Sequence, residues 1–464
     1  MKIQRFICAI LMLGAVLATQ SASAQLKTSY FMEGSYFRTD LNPALVPTRG
    51  YLALSPLSGY AYGSYSNYHS YLGYYRNGEY VDAYSPLVSA NEFLGKLPNK
   101  CTMSFNYDVN LFKLGFYTLN GAFWNIGSSL RFVLDSTIPK EYYKLLKSDE
   151  PTNITAENAR INSDMYLENF IGRTFRLGEN ITLGARLKFL VGINNAIINF
   201  NHISVADNQF SVDGNMKAAG VFYDSTNYDG EVLPEIEYGD SLESVSDHVK
   251  SFGGAIDLGA EISLFDKHLK VSGAITDLGF IKWSKETMME GSMKASYDKK
   301  SAVENLLSIM DKDVIEMPRF FSDYTSRLVT NINLGVEYNF LHNHFSVGAL
   351  SHTRILHGGI MTEFTASLNV RPTNWMSLTA SHTFFNGNVP GTYGAAVNLH
   401  PRAINIFVGV DYIPTGGVIM DGVEDTLLWF SGLEGAGYLS SNSFNIYFGV
   451  GFNFGRPDFL INQQ

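Results

Sequence analysis

Two Ser–His dipeptides, Ser351-His352 and Ser381-His382, are the residues best suited to nucleophilic chemistry. A hydroxyl activated by an imidazole is a common route to acyl transfer, but the two must share a hydrogen bond. Each pair falls in a segment of alternating apolar and polar residues, and neighbours on a strand point to opposite faces. Neither pair can meet, and His382 keeps the apolar parity while Ser381 keeps the polar one. His342-Asn343-His344 offers two imidazoles to a metal, yet it stands at a tight turn with no carboxylate or thiol beside it. Asp311-Lys312-Asp313 and Asp421-Gly422-Val423-Glu424-Asp425 depart from the twelve-residue calcium loop. Gly449, Gly451 and Gly455 precede no helix, as a dinucleotide fingerprint requires. No catalytic residue, metal ligand or cofactor is assigned, and the expectation is that the protein is not an enzyme.

The segments that carry these residues say more. From residue 100 onward most of the chain reads as strands of ten or more residues whose charges keep to one face. Between 330 and 340 the even positions are Thr330, Ile332, Leu334, Val336, Tyr338 and Phe340, and the odd ones are Asn331, Asn333, Gly335, Glu337 and Asn339. The charges Arg186, Lys188, Asp257, Glu261, Glu337 and Asp411 all oppose the apolar parity and are expected to face a lumen. Tyr338, Phe340, Phe384, Tyr412, Phe452 and Phe454 close the apolar face at strand ends, as an interfacial girdle does. A soluble sandwich also alternates. Its strands, however, are about five or six residues long, whereas crossing a bilayer at a tilt takes about ten.

Tight turns near 119–120, 178–180, 265–267, 341–343, 372–373 and 401–402 alternate with long connections at 59–100, 135–163, 204–251, 281–327 and 413–442, plus short ones near 354–358 and 387–389. This predicts 14 strands: 51–58, 101–118, 121–134, 164–177, 181–203, 252–264, 268–280, 328–340, 344–353, 359–371, 374–386, 390–400, 403–412 and 443–454. The second is too long for one crossing and predicts a bulge near Val109-Asn110. The fold class is therefore all-β, a single closed antiparallel transmembrane barrel with tight turns at the periplasmic end and long loops outside.

Composition and the chain start agree. A basic n-region (Lys2, Arg5), an apolar stretch and Ala22-Ser23-Ala24 read as a cleaved secretory signal over 1–24. Its loss takes the net charge from −10 to −12, which argues against a nucleic-acid partner. Cys101 alone survives processing, so no disulfide framework exists. Charged residues are only 17% and aromatics 14%, which suits a lipid-facing barrel in the outer membrane of a Gram-negative cell. Residues 25–50 form a hatch-like or periplasmic segment, 51–454 the barrel and 455–464 a periplasmic tail.

Ahead of the first strand stands Asn42-Pro43-Ala44, and Ile275-Thr276-Asp277-Leu278-Gly279-Phe280, followed by Trp283, forms a second element. On these the sequence resembles the FadL-like superfamily of 14-stranded outer-membrane barrels. It is similar most of all to an uncharacterised Bacteroidota barrel family related to the type IX secretion proteins PorV and PorP. The resemblance implies that Asn42, Pro43 and Ala44 belong to an N-terminal hatch inside the lumen; read from the residues alone, they are equally a periplasmic turn capped by Asn-Pro.

A tyrosine run (Tyr60, Tyr62, Tyr65, Tyr68, Tyr71, Tyr74, Tyr75) reads either as a ligand-stacking surface or as an aromatic roof or strand rim. Helical patterns at 139–147 and 301–311 are placed over the mouth or in solvated loops. The function expected is passive uptake or binding of a small hydrophobic compound. The alternative is a scaffold or shuttle for secreted proteins. Outer-membrane lipid is the partner common to both.

Overall fold

The computed structural model describes residues 27–55, 60–67, 73–77, 79–83, 85–147, 154–206, 209–221, 249–298, 315–316, 322–385, 391–414 and 444–455. Fourteen strands close into one antiparallel barrel of the outer-membrane type. They are β1 (Gly50–Leu54, resumed at Tyr60–Ser66), β2 (Lys100–Tyr117), β3 (Phe123–Pro139), β4 (Ile154–Leu177), β5 (Ile181–Ala206), β6 (Phe252–Leu264) and β7 (Leu269–Trp283). The ring continues with β8 (Thr330–Phe340, preceded by Tyr324–Arg327), β9 (Phe345–Ile355), β10 (Ile360–Thr373), β11 (Met376–Phe385), β12 (Thr392–Leu399), β13 (Ile404–Pro414) and β14 (Phe444–Phe454). Strands pair in chain order, and β1 closes the ring: Leu52 faces Phe452 on β14 and Leu114 on β2.

Burial follows the period of two. On β8 Leu334, Val336, Tyr338 and Phe340 are exposed, while Asn333, Glu337 and Asn339 between them are buried. On β10 Phe364 and Leu368 are exposed, and Glu363, Thr365, Ser367 and Asn369 are buried. Large apolar groups outside and charges inside reverse the rule for proteins in water. Hydrocarbon around the outer wall accounts for the reversal. No described helix is long and apolar enough to cross a membrane.

At the periplasmic end Phe265–Lys267 and Leu341–Asn343 each string three positive-φ residues together, with φ between 48° and 68°. His344 N donates to Leu341 O at 3.2 Å and closes the second of these turns, which is the place of the His342-Asn343-His344 triplet. Among the described residues no group of three or more His, Cys, Asp or Glu is arranged to hold a metal ion.

The other end departs from the sequence-based reading in three ways. The first strand resumes beyond residue 59, so Tyr60, Tyr62 and Tyr65 belong to the barrel wall, where their backbones pair with β2 and β14. The connections at 204–251 and 281–327 are not plain loops: Gln209–Gly220 pairs with the outer half of β5 and, on its other side, with Met288–Asp298. This sheet prolongs β4 and β5, of 24 and 26 residues, well past the crossing length. Their registers were hidden by bulges, which reset parity in mid-strand. One falls in β4–β5 between Met165 and Tyr166, and another in β2 between Asn110 and Phe112, one residue beyond the bulge expected there.

Over the rim, helices Ala90–Lys96 and Lys140–Lys147 pack Phe93 and Tyr143 around buried Cys101. The signal, the 301–311 helix, the two candidate calcium stretches and residues 456–464 lie outside the described residues.

Depth of lipid contact sets a test. Leu334→Arg places a charge in mid-wall and is expected to cost about 2–4 kcal/mol, whereas Phe340→Arg at the strand end costs about 0–1. Denaturant titration of folding in phospholipid vesicles checks the contrast; equal costs would place hydrocarbon elsewhere.

Candidate functional site

Inside the barrel runs the chain's own N-terminal stretch. Residues 27–49 include one 3-10 turn (Lys27–Ser29) and one helical turn (Arg38–Leu41), and most of them are buried. Their aromatic side chains build a small core within a polar lumen. Tyr36 stacks on Tyr51 with centroids 4.7 Å apart, and Phe37 lies 4.2 Å from Phe407. Such aromatic burial supplies apolar contact that the polar wall by itself lacks.

The Asn42-Pro43-Ala44 corner is gripped on all sides. Asn42 Oδ1 accepts from Ala44 N at 2.9 Å, which shapes the turn, and its Nδ2 donates to Tyr30 Oη and to the Ala260 and Gly273 carbonyls at 3.3–3.4 Å. Thr174 Oγ1 donates to Pro43 O at 2.6 Å, and Asn333 Nδ2 to Leu41 O at 2.7 Å. The wall comes this close because it is bare there. A Cβ on Gly259 would overlap the Asn42 amide, and one on Gly184 the Pro43 carbonyl. Sequence reasoning passed over these inward glycines, although they sit on the lumen parity of β5 and β6.

Charge fixes the segment as well. Asp40 accepts from Lys113 Nζ at 2.5 Å and from Arg186 Nη1 at 3.1 Å, while Arg186 Nη2 donates to Thr39 O at 3.0 Å. Glu33 pairs with Lys270 and accepts from Asn343 Nδ2 at 2.9 Å. Arg371 donates to Phe31 O at 2.9 Å and pairs with Glu337 at 2.7 Å. Lys27 pairs with Glu363, and Thr28 bonds to Asp411 and to Ser381 Oγ.

Beyond the segment the charges form one chain along β2–β7. Arg131 joins Asp108 (2.8 Å) to Glu168 (3.2 Å), and Lys188 joins Glu168 (3.2 Å), Asp257 (3.0 Å) and Asp277 (2.5 Å). Asp277 has φ +59° in a bulge of β7, with its N–H on Asp257 Oδ1 at 2.7 Å. This is the Ile275–Phe280 element: two carboxylates and one lysine pin a kink in the wall. Burying such ions is costly unless each finds its counter-charge.

Of the charges expected in the lumen, Arg186, Lys188, Asp257, Glu337 and Asp411 lie buried in these networks and Glu261 is half-buried on the same face. Sequence reasoning missed Lys27, Lys113, Arg131, Glu168, Lys270, Asp277, Glu363 and Arg371, together with Glu33 and Asp40. Lys113 escaped because the Leu111 bulge flips the parity of β2; the acids of the N-terminal stretch had no alternation around them. Ser381 faces inward and His382 outward, while His352 faces inward with Nδ1 2.5 Å from Asn333 Oδ1, so neither Ser–His pair assembles.

Above the segment lies a cavity of about 80 Å³. Phe37, Asp40 and Leu41 are among the residues beneath it, and Asn106, Asp108, Arg131, Asn331, His352 and Arg354 line much of the rest.

The sequence and the fold were compared with known proteins. Residues 43–411 match the family of unknown function DUF5723, and the chain belongs to that family. Comparison with curated proteins finds no match. Among solved structures, the toluene transporter TodX of Pseudomonas putida is 7% identical with a TM-score of 0.37, over 93% of this chain and 94% of that one. A TodX variant described as a monoaromatic hydrocarbon channel gives 9% and 0.40 over 94% and 96%. A Pseudomonas aeruginosa FadL homologue gives 12% and 0.36 over 94% and 99%.

Asp40→Asn removes the anion shared by Lys113 and Arg186. Loss of one partner from a buried pair costs about 3–5 kcal/mol, so amides of residues 36–45 are expected to exchange hydrogen far faster while the barrel amides hold. Exchange mass spectrometry in detergent reads both; unchanged protection would deny Asp40 an anchoring role.

Proposed function

We propose that the chain is a passive outer-membrane barrel that admits or binds a small compound and is closed at rest by its own N-terminal segment. The observation that carries this reading is the buried passage of residues 27–49 through the lumen, held by ion pairs and hydrogen bonds rather than by covalent closure. Contacts of this kind re-form in water, so the segment can leave and return.

Asn42, Pro43 and Ala44 act as the corner of that hatch, and Arg186, Lys113, Lys270 and Arg371 as its cationic sockets. Kinship with the FadL-like barrels, which the Asn-Pro-Ala corner supports, implies a hydrophobic compound. The lining of the cavity favours a small polar one, because Asp108, Arg131, Asn331 and Arg354 would have to be stripped of water against an apolar surface. Either compound crosses only after the hatch moves, since residues 27–49 occupy the lumen beneath the cavity.

Planar-bilayer conductance and liposome swelling test the reading. The full chain is expected near the lipid baseline; deletion of residues 25–50, or Gly259→Val, which crowds out Asn42, raises conductance several-fold. Swelling with a sugar against uptake of an aromatic hydrocarbon then tells the two compound classes apart. A deletion variant that inserts as a folded barrel and stays at baseline even at about pH 9, above the range where histidine titrates, overturns the reading, and co-purifying secreted protein would move the function to the loops.

A further inference from the structure

A second set of contacts spans the lumen at its outer end. The β9–β10 connection turns back on itself, with Leu356 N donating to Gly359 O at 2.9 Å, and reaches a wall on the far side of the ring. There His357 Nδ1 lies 2.7 Å from Asp135 Oδ1 on β3, and its backbone N–H donates to Asp135 Oδ2 at 3.3 Å. The other ring nitrogen, Nε2, lies 2.8 Å from the Arg327 carbonyl and 4.0 Å from Asp164 on β4. Arg327 in turn donates its guanidinium to the Ile355 and Leu356 carbonyls. A step further in, Arg354 reaches Asn106 on β2 at 2.8 Å.

We propose that this hairpin tip is an outer gate over the lumen, latched by His357 in its imidazolium form. Both ring nitrogens face acceptors, a carboxylate on one side and a carbonyl on the other. A neutral imidazole carries one N–H and leaves the second contact as lone pair against lone pair; the cation donates to both. Closure and protonation are therefore linked.

The surroundings act in the same direction. Burial disfavours the charged ring, but the hydrogen bond and charge of Asp135, the charge of Asp164 and the Arg327 carbonyl outweigh it and hold the imidazole above its ordinary pKa. The latch is thus fully made below the ordinary histidine value of 6.5 and is lost as pH rises through the raised one. The groups facing His357 are Asp135, Asp164 and Arg327, whose guanidinium donates to the Ile355 and Leu356 carbonyls. The gate is defined by this contact, whatever compound passes beneath it.

The test uses the full chain in lipid vesicles with a nitroxide on Gly359→Cys, where a Cβ meets only ordinary contacts with Thr102 and Thr137. Between about pH 5.5 and 9, the range where histidine titrates, the spectrum is expected to pass from immobilised to mobile. Its midpoint is expected above 6.5, with the ratio of the two forms changing about tenfold per pH unit for a one-proton step. In His357→Gln the mobile form should prevail throughout. An identical transition in His357→Gln assigns the titration to another group and overturns the proposal, as does a spectrum that never changes. Where the label itself prevents assembly, ring-labelled histidine NMR of the unmodified chain decides: a His357 ring already neutral at pH 6.5 in the folded barrel refutes the latch.

Discussion

One carboxylate, that of Asp40, holds the interior of this barrel together. It stands between Lys113 of β2 and Arg186 of β5, two cations whose side chains are wholly enclosed. Without it Lys113 would lose its carboxylate and Arg186 would keep only the more distant Asp257, at 3.7 Å, in a space where an unpaired ion is among the costliest things a fold can contain. Arg186 also lies over the Phe170 ring, 4.2 Å from its centroid. Its charge thereby couples the hatch to the wall, and the wall to the Asp257–Lys188–Asp277 knot that shapes the β7 kink. A barrel lumen cannot be oil-filled and still polar-walled, so the segment that plugs it must bring charges of its own. Lys27, Glu33 and Asp40 are among those charges.

The same constraint explains the bare patches on the inner wall. Close approach of the Asn42–Pro43 corner to β5–β6 leaves no space for a wall side chain: Gly184 meets the Pro43 backbone and Gly259 the Asn42 amide. The polar face of the barrel is thus a mould: charge where the hatch offers a counter-charge, amide where it offers a carbonyl, and nothing where its backbone passes. The outer end follows a different logic. Its contacts converge on one titratable ring rather than on a network of ion pairs, which makes the outer closure responsive to pH.

Much of the architecture was legible in the chain. The parity of β8 and the alternation of tight and long connections gave the strand number and the closed ring, because hydrocarbon enforces period two on every wall residue. Legibility failed where parity broke. The Leu111 bulge concealed Lys113, and the left-handed Asp277 concealed the centre of the charge knot. The Gln209–Gly220 and Met288–Asp298 strands do alternate, with Val212, Met216, Ala218 and Met289 buried on one face, but they lie in stretches read as loops.

The sequence alone determined which side of the unbulged strands meets lipid, since that follows from solvent preference at neighbouring positions and needs no partner. It also marked Asn42-Pro43-Ala44 as distinct from the strands, while leaving two places where it could sit. Only the tertiary structure decided that residues 27–49 lie within the ring, that Asp40 answers Lys113 and Arg186 from 73 and 146 positions away, and that His357 meets Asp135 across 222. Ion pairing depends on distance in space, and nothing in a linear pattern encodes which of many like charges will be neighbours once the ring has closed.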